Sequence, residues 1–119
     1  MSASITPSSA TSKVLVFVSQ SASTSHQVGE CAGGFQVLRG ATVIVGPATN
    51  AAHIGSAASG AASTGVNGYF STSYLDSPAT TSSTTYKVQG KPITTANSSD
   101  LIAQHSSTAS TITLMEIGA

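Results

Sequence analysis

The sequence predicts an all-β protein, an antiparallel jelly-roll-like sandwich in a single domain spanning residues 1–119. Runs of β-branched residues recur along the chain, and the polar positions within them are almost all Ser or Thr, a pattern that favours half-buried strands. Gly and Pro turns separate these runs at the short spacing typical of sandwiches. The net charge is zero and 39% of the residues are hydrophobic, which argues against disorder and allows one modest core.

The first predicted strand covers residues 12–19 and follows turn chemistry at residues 6–9. Alternation divides its apolar side chains between two faces, one with Val14, Val16 and Val18 and the other with Leu15 and Phe17. Both faces of this strand therefore need cover. The polar stretch that follows, as far as residue 30, is predicted to be a connection or a weak edge strand.

A hairpin is predicted next, from strands at residues 35–39 and 42–45. Gly33 and Gly34 open it from a loop, Gly40 marks a bulge or a tight turn, and residues 46–47 end it. Residues 47–67 are mostly Ala, Gly, Ser and Thr and are predicted to form a long surface loop, because three glycines would interrupt a helix. A loop of that length is usually functional or ordered by a neighbour.

The second half of the chain contains three further predicted strands, at residues 68–75, 84–89 and 110–117. A turn at residues 76–78 separates the first two, and residues 90–92 form the turn after the second. Residues 97–100 are predicted as a polar loop. Residues 100–105 allow two alternatives, one helical turn or another short strand.

The residue types needed for catalysis occur, but without a catalytic spacing. A serine nucleophile needs a His that is oriented by a carboxylate, and His26, His53 and His105 all fall in predicted loops. Residues 55–60 lack the spacing of a Gly-x-Ser-x-Gly elbow. Asp76 is interpreted as a turn cap and Glu116 as one half of a cross-strand pair, rather than as the two acids of a glycosidase. We therefore expect no enzymatic activity and assign no catalytic residue.

Metal and cofactor binding are not expected either. Cys31 is the only cysteine, so it has no disulfide partner within the chain, and it is interpreted as an inert thiol. One Cys and three widely separated His offer no zinc-ligand spacing. An alternative stays open, in which three copies of one His meet on a three-fold axis. Residues 97–99 match a glycosylation sequon and are interpreted as a plain turn.

Charge and hydropathy limit the possible partners. Lys and Arg total four, as do Asp and Glu, so no basic patch is available for nucleic acid or an anionic membrane surface. No apolar run approaches the roughly 20 residues of a membrane span, and the first residues lack the features of a signal peptide. We expect synthesis in the cytoplasm, no nucleic-acid partner and no membrane partner.

The last strand has apolar residues on both faces, like the first. Ile112 and Leu114 point one way, and Met115 and Ile117 point the other. A small sandwich cannot cover several such strands alone, so we expect some outer faces to pack against other subunits of a homo-oligomer. The alternative is that residues 47–67 cover them.

Three segments in this order carry a family resemblance: SITPSSATSKVLV at residues 4–16, LDSPATTSSTTYKVQ at residues 75–89 and STITLMEI at residues 110–117. Together they resemble a β-domain of tailed-bacteriophage structural proteins, especially those of marine phages and cyanophages. The resemblance implies a jelly-roll-like homotrimer on the virion surface, either at the end of a tail fibre or as a capsid decoration (cement) protein. Two features depart from it, since no aromatic strand follows Gln89 and residues 48–67 are unusually rich in Ala.

No heptads, fibre repeat or attachment domain precede the resembling segments. We therefore expect a cement protein that binds the phage major capsid protein, at three-fold positions of the shell, and that is assembled into the virion in the cytoplasm of the host bacterium. The alternative is a tail-fibre tip or small receptor-binding component, which would bind tail or fibre proteins and recognise host glycans through its loops.

Overall fold

The computed structural model describes residues 1–26, 31–46, 54–56, 64–93 and 100–118. Within these ranges the chain is all-β, as predicted, and its only helix is a short 3-10 helix at His105–Ser107. The strands are β1 (Ser2–Ile5), β2 (Lys13–His26), β3 (Cys31–Arg39), β4 (Thr42–Val45), β5 (Ile54–Ser56), β6 (Thr64–Asp76), β7 (Thr84–Pro92), β8 (Asp100–Ala103) and β9 (Thr111–Ile117).

The strands form two antiparallel sheets in the arrangement of a β-sandwich. Sheet A has five strands in the order β1-β7-β3, with β4 and β5 sharing the far edge of β3. Sheet B has four strands, with β6 on one edge of β2 and β8 and β9 on the other. The central strands are therefore β3 in sheet A and β2 in sheet B.

One hydrophobic core fills the space between the sheets. Phe35 of sheet A stacks on Phe70 of sheet B, with ring centroids 5.5 Å apart, so an aromatic pair joins the layers. The remaining buried core residues come from both sheets: Val14, Val16, Val18, Ala22, Val37, Ile54, Tyr86 and Val88. The three valines of β2 share one face, as their alternation predicted, and the structure shows that this face is the inward one.

Strand β2 is longer than predicted. It pairs with β6 over residues 14–26, and along its other edge with β9 over residues 13–19 and with β8 over residues 22–25. The interpretation of residues 20–30 as a connection or an edge strand is therefore wrong for residues 20–26, while residues 27–30 lie outside the described part. Small hydroxyl side chains allow this polar stretch to be buried, because they hydrogen-bond to the neighbouring strand: Thr24 Oγ1 donates to Asp100 O of β8 at 2.7 Å.

A small polar junction completes the hydrogen bonding of β2 at the point where the neighbouring strand changes from β9 to β8. Ser110 Oγ accepts hydrogen bonds from Ser21 N at 3.0 Å and from Gln20 Nε2 at 2.9 Å. Gln104 N donates to Ser21 O at 2.8 Å. These contacts satisfy backbone groups that would otherwise lack a strand partner in the interior.

Glycines inside strands account for two further corrections. The structure contains Gly33 and Gly34 within β3 and Gly90 within β7, where a loop and a turn were predicted. A Cβ on Gly33 would lie 2.6 Å from Leu101 Cδ1, and a Cβ on Gly90 would lie 2.6 Å from Phe35 Cε1. The glycines therefore make room for core side chains rather than mark turns.

The predicted hairpin of β3 and β4 is confirmed. Arg39 pairs with Thr42, and Gly40 between them has a φ of 58°, which is the left-handed conformation that glycine adopts without strain. Residues 100–105 belong to two elements: the first four form β8, and His105 begins the 3-10 helix. Strand β1 was not predicted, because its sequence SASI shows only a weak apolar pattern.

The long loop predicted at residues 47–67 contains regular structure. Strand β5 pairs with β3 at residues 31–33, and β6 already begins at Thr64. The side chain of Ile54 is buried in the core, so this short strand has a folding role that its small-residue surroundings concealed. Residues 47–53 and 57–63 lie outside the described part.

A buried carboxylate joins the two sheets at one end. Asp76 ends β6 in sheet B, and its two side-chain partners, Arg39 and Tyr86, lie in sheet A. Arg39 Nη1 lies 2.8 Å from Asp76 Oδ1 and 2.9 Å from Oδ2, and Tyr86 Oη donates to Oδ2 at 2.7 Å. Burial, reinforced by the bond to Asp76, raises the pKa of Tyr86. The interpretation of Asp76 as a turn cap is thus replaced by an inter-sheet link.

We predict that Asp76→Ala lowers the free energy of unfolding by about 3 kcal/mol, because Arg39 and Tyr86 then lose their buried acceptor. Tyr86→Phe, which removes one hydrogen bond, should cost about 1 kcal/mol. Urea denaturation followed by circular dichroism measures both. Asp100→Ala is the control, since Asp100 is exposed and, within the described residues, its carboxylate bonds only to Ser25. Equal losses for Asp76→Ala and Asp100→Ala would contradict the inter-sheet link.

Candidate functional site

The outer face of sheet B has a cluster of large apolar side chains at the end where β2 begins. The register aligns Leu75, Leu15 and Met115 in one row across β6, β2 and β9. Phe17 follows along β2, and Ile117 lies opposite Lys13. We call these five apolar residues the outer apolar face: Leu15, Phe17, Leu75, Met115 and Ile117.

The outer apolar face is open to solvent. The exposed fractions are 50% for Met115, 46% for Leu75, 44% for Phe17 and 37% for Ile117. Beside Phe17, a shallow groove continues across the three strands and is lined by Ser19, Ser71, Ser73 and Thr111. Large contiguous apolar surface is uncommon on the exterior of a monomer and marks sites of association.

The outer face of sheet A has a different chemistry. Gln36 Nε2 donates to Gln89 Oε1 at 3.0 Å, and the hydroxyls of Ser4 and Thr85 are hydrogen-bonded at 2.8 Å. Lys87 lies between Ser2 and Leu38 in the register. The two outer faces therefore differ, one being largely polar and the other apolar at one end.

Charge is almost absent from the outer apolar face. Among the described residues on this part of sheet B, Lys13 is the charged side chain that shares the outward orientation. Glu116 alternates to the other side of β9 and is bonded to Ser8. An uncharged apolar surface incurs little desolvation cost when another apolar surface covers it.

The alternative cover, by residues 47–67, is not found in the described part of that segment. Strand β5 pairs with β3 in sheet A, whereas the outer apolar face belongs to sheet B. The exposed fractions of its side chains leave it accessible. Ile112 and Leu114 on the other side of β9 are partly buried against the core, so the last strand is two-sided, as predicted.

Glu116 anchors the segment between β1 and β2, which connects sheet A to sheet B. Its Oε1 accepts hydrogen bonds of 2.7 Å from both the backbone N and the hydroxyl of Ser8. Hydrogen bonds from the hydroxyls of Ser12 and Ser8 lower the pKa of the Glu116 carboxyl. The interpretation of Glu116 as one half of a cross-strand pair is wrong, because its register partner on β2 is the apolar Val14.

The sequence candidates for catalysis are not assembled into a site by the described residues. Asp76 and Glu116 flank Val14 on opposite sides of β2, about 10 Å apart by strand spacing, and each already accepts structural hydrogen bonds. His26 ends β2, and His105 begins the 3-10 helix, so neither lies in the predicted loop conformation. His53 lies outside the described residues.

The metal-ligand candidates are equally dispersed. The described ranges contain no group of three or more His, Cys, Asp or Glu side chains that could hold a metal ion. Cys31 is buried in β3, and its Sγ lies 3.7 Å from Thr24 O, which agrees with a packed thiol. Gly55 belongs to β5, while residues 57–60 and the sequon at residues 97–99 lie outside the described part.

Comparison of the chain with protein-family models, with characterised proteins and with solved structures found no match. No helix among the described residues is long and apolar enough to cross a membrane. The surface chemistry is therefore the observation from which function must be argued.

We predict that the hydrogen bonds of Glu116 make a pH-dependent contribution to stability. Its folded-state pKa lies below the ordinary value of 4.5, so the contribution is fully present above that value and is lost as the pH falls through the lowered pKa. The difference in melting temperature between the wild type and Glu116→Gln should therefore shrink on acidification. Differential scanning calorimetry between pH 3 and pH 7 provides the measurement, and a difference that grows on acidification would contradict the assignment.

Proposed function

We propose that this protein is a virion structural protein, a capsid decoration (cement) protein that assembles as a jelly-roll-like homotrimer and stabilises the capsid lattice. The observation that carries the proposal is the outer apolar face on sheet B. The zero net charge of the chain and its hydroxyl-rich strands support a structural role over nucleic-acid binding. The resemblance at residues 4–16, 75–89 and 110–117 supplies the virion context.

Self-association is supported by the energetics of the outer apolar face. Leu75, Phe17 and Met115 are about half exposed, and covering each would contribute about 1 kcal/mol. A trimer repeats this gain in every subunit. The contacts would be drier and less charged than an ordinary protein surface, which is typical of the core of a permanent interface.

Attachment to the capsid is assigned to surfaces that remain after trimerisation. The outer face of sheet A presents the Gln36–Gln89 pair, hydroxyls and Lys87, which suit a hydrogen-bonded contact with the major capsid protein. A trimer that binds across capsomer boundaries stabilises the closed shell because it binds the assembled lattice and not the separated subunits. This resists the internal pressure of packaged DNA.

The alternation of strands between sheets supports the jelly-roll-like topology. The chain crosses from sheet A to sheet B between β1 and β2 and returns between β2 and β3. It crosses three more times, at β5–β6, β6–β7 and β7–β8. Such crossings are characteristic of Greek-key and jelly-roll sandwiches, in contrast to simple meanders.

The alternative remains a tail-fibre tip or small receptor-binding component on the virion surface. It would use the same trimer but present its loops to host surface glycans. A cement protein is present in hundreds of copies per particle, whereas a fibre tip is scarce. Mass spectrometry of purified particles with labelled reference peptides distinguishes the two.

We predict that the purified protein is a trimer and that Met115→Asp converts it to a monomer, since an unpaired charge would be buried at the contact. Analytical ultracentrifugation measures the mass. The matched control is Val43→Asp, because Val43 is 49% exposed but lies in β4 of sheet A, so this variant should stay trimeric. A wild-type monomer, or equal dissociation of both variants, would contradict assembly through the outer apolar face.

We further predict that particles lacking the protein package DNA but rupture at lower temperature or lower osmotic stress than wild-type particles. Adding back the wild type or Val43→Asp should restore resistance, and Met115→Asp should not. Normal rupture resistance together with loss of adsorption to cells would reject the cement function in favour of the fibre tip.

A further inference from the structure

A second concave surface lies on sheet B, toward the opposite end of its outer face. Tyr69 projects outward from β6 with 55% of its surface exposed, the largest exposed fraction among the tyrosines and phenylalanines of the described residues. Its register partner on β2 is Ser21. The segment after β8 passes over this part of the sheet, and together these elements enclose a cavity of about 260 Å³.

The floor and one wall of the cavity are fixed by hydrogen bonds. The hydroxyls of Ser21 and Thr108 bond to each other, and the backbone N and hydroxyl of Thr108 both donate to His105 O. Gln104 N donates to Ser21 O at 2.8 Å. The 3-10 helix is thereby held against β2, and a preformed wall reduces the entropy lost when a ligand binds.

The other wall consists of Asn67 and Gly68 beside the Tyr69 ring. The Asn67 side chain is exposed and makes no hydrogen bond within the described part of the chain, so its amide is available as both donor and acceptor. His105 and Thr108 line the opposite side. A flat aromatic ring thus stands beside an amide that can both donate to and accept from hydroxyls.

This combination matches the chemistry of a neutral sugar ring. A pyranose has an apolar face of C–H groups that can pack on an aromatic ring, and a rim of hydroxyls that need partners of both kinds. The cavity volume is close to the lower limit for small-molecule sites, which suits a single sugar residue rather than a larger ligand.

Charge distinguishes this ligand class from others that stack on tyrosine. Among the described residues, those that line the cavity include no Lys, Arg, Asp or Glu, so a phosphate or a carboxylate would find no permanent counter-charge from them. Nucleotides are disfavoured for the same reason.

We propose that the cavity formed by Asn67, Tyr69, His105 and Thr108 is a binding site for a neutral pyranose, with Tyr69 as its stacking platform. The proposal is independent of the trimer. Tyr69 lies four residues along β6 from Ser73, the register partner of Phe17, which is about 13 Å along the strand, so the cavity lies outside the outer apolar face. Sugar binding here is compatible with either position on the virion.

The test is a titration of isotope-labelled wild-type protein with the methyl pyranosides of glucose, galactose, mannose and N-acetylglucosamine, followed by NMR. At least one should shift the Asn67 side-chain amide and the Tyr69 ring signals, with a dissociation constant of about 1 mM. Tyr69→Ala should weaken that binding by about tenfold or more because it removes the stacking surface, whereas Tyr69→Phe should retain it within about threefold.

Two controls keep the outcome specific. Tyr74→Ala removes another exposed tyrosine of the same strand outside the cavity, and it should leave binding unchanged. Asn67→Ala, a second exposed position, should weaken binding without unfolding the protein. Absence of cavity shifts with every pyranoside at about 20 mM, well above the expected dissociation constant, would overturn the proposal. Equal effects of Tyr69→Ala and Tyr74→Ala would overturn it as well.

Discussion

Hydrogen bonding along both edges of β2 is the constraint on which the rest of the structure depends. This strand is paired with β6 on one side and with β9 and then β8 on the other. A strand with neighbours on both edges can be buried only if its side chains are apolar or locally satisfied. Valines meet this requirement in its first half, and hydroxyls bonded to neighbouring segments meet it in the second half.

The change of partner along β2 also determines where concave surface can form. Between β9 and β8 the chain leaves the sheet, forms the 3-10 helix and returns, and Ser110 and Thr108 tie this excursion to Ser21. A continuous neighbouring strand would have left sheet B flat at this point. The Tyr69 cavity is therefore a by-product of the junction that completes the pairing of β2.

Alternation of apolar residues was sufficient to predict the class of fold, the hairpin and the division of apolar side chains between the two faces of the first and last strands. It was insufficient where burial depends on partners distant in sequence. Residues 20–26 look like a polar connection because nothing local shows that β8 lies beside them. Gly33 and Gly90 look like turn residues until Leu101 and Phe35 are seen to occupy the space above them.

The candidate surfaces also differ in how far the sequence could predict them. Alternation predicted that Leu15 shares a face with Phe17, and Met115 with Ile117, since period two fixes relative orientation. That these are the outer faces follows from the pairing and burial in the structure. Asp76 and Glu116 were misread, because their partners lie 37 and 108 residues away in the chain. The cavity beside Tyr69 could not be predicted at all, since its wall comes from a segment with no regular apolar pattern.

The difference between the two outer faces limits how copies of this protein could stack into a larger assembly. A sandwich that was apolar on both outer faces could stack indefinitely, because each added copy would present a fresh adhesive surface. Here the large exposed apolar side chains gather on sheet B, while the described outer face of sheet A is mostly polar apart from Val43 and its register partner Leu38. In the proposed trimer, association through sheet B would cover that surface, so growth would stop after the first round and any layer built from the trimer would be one molecule thick.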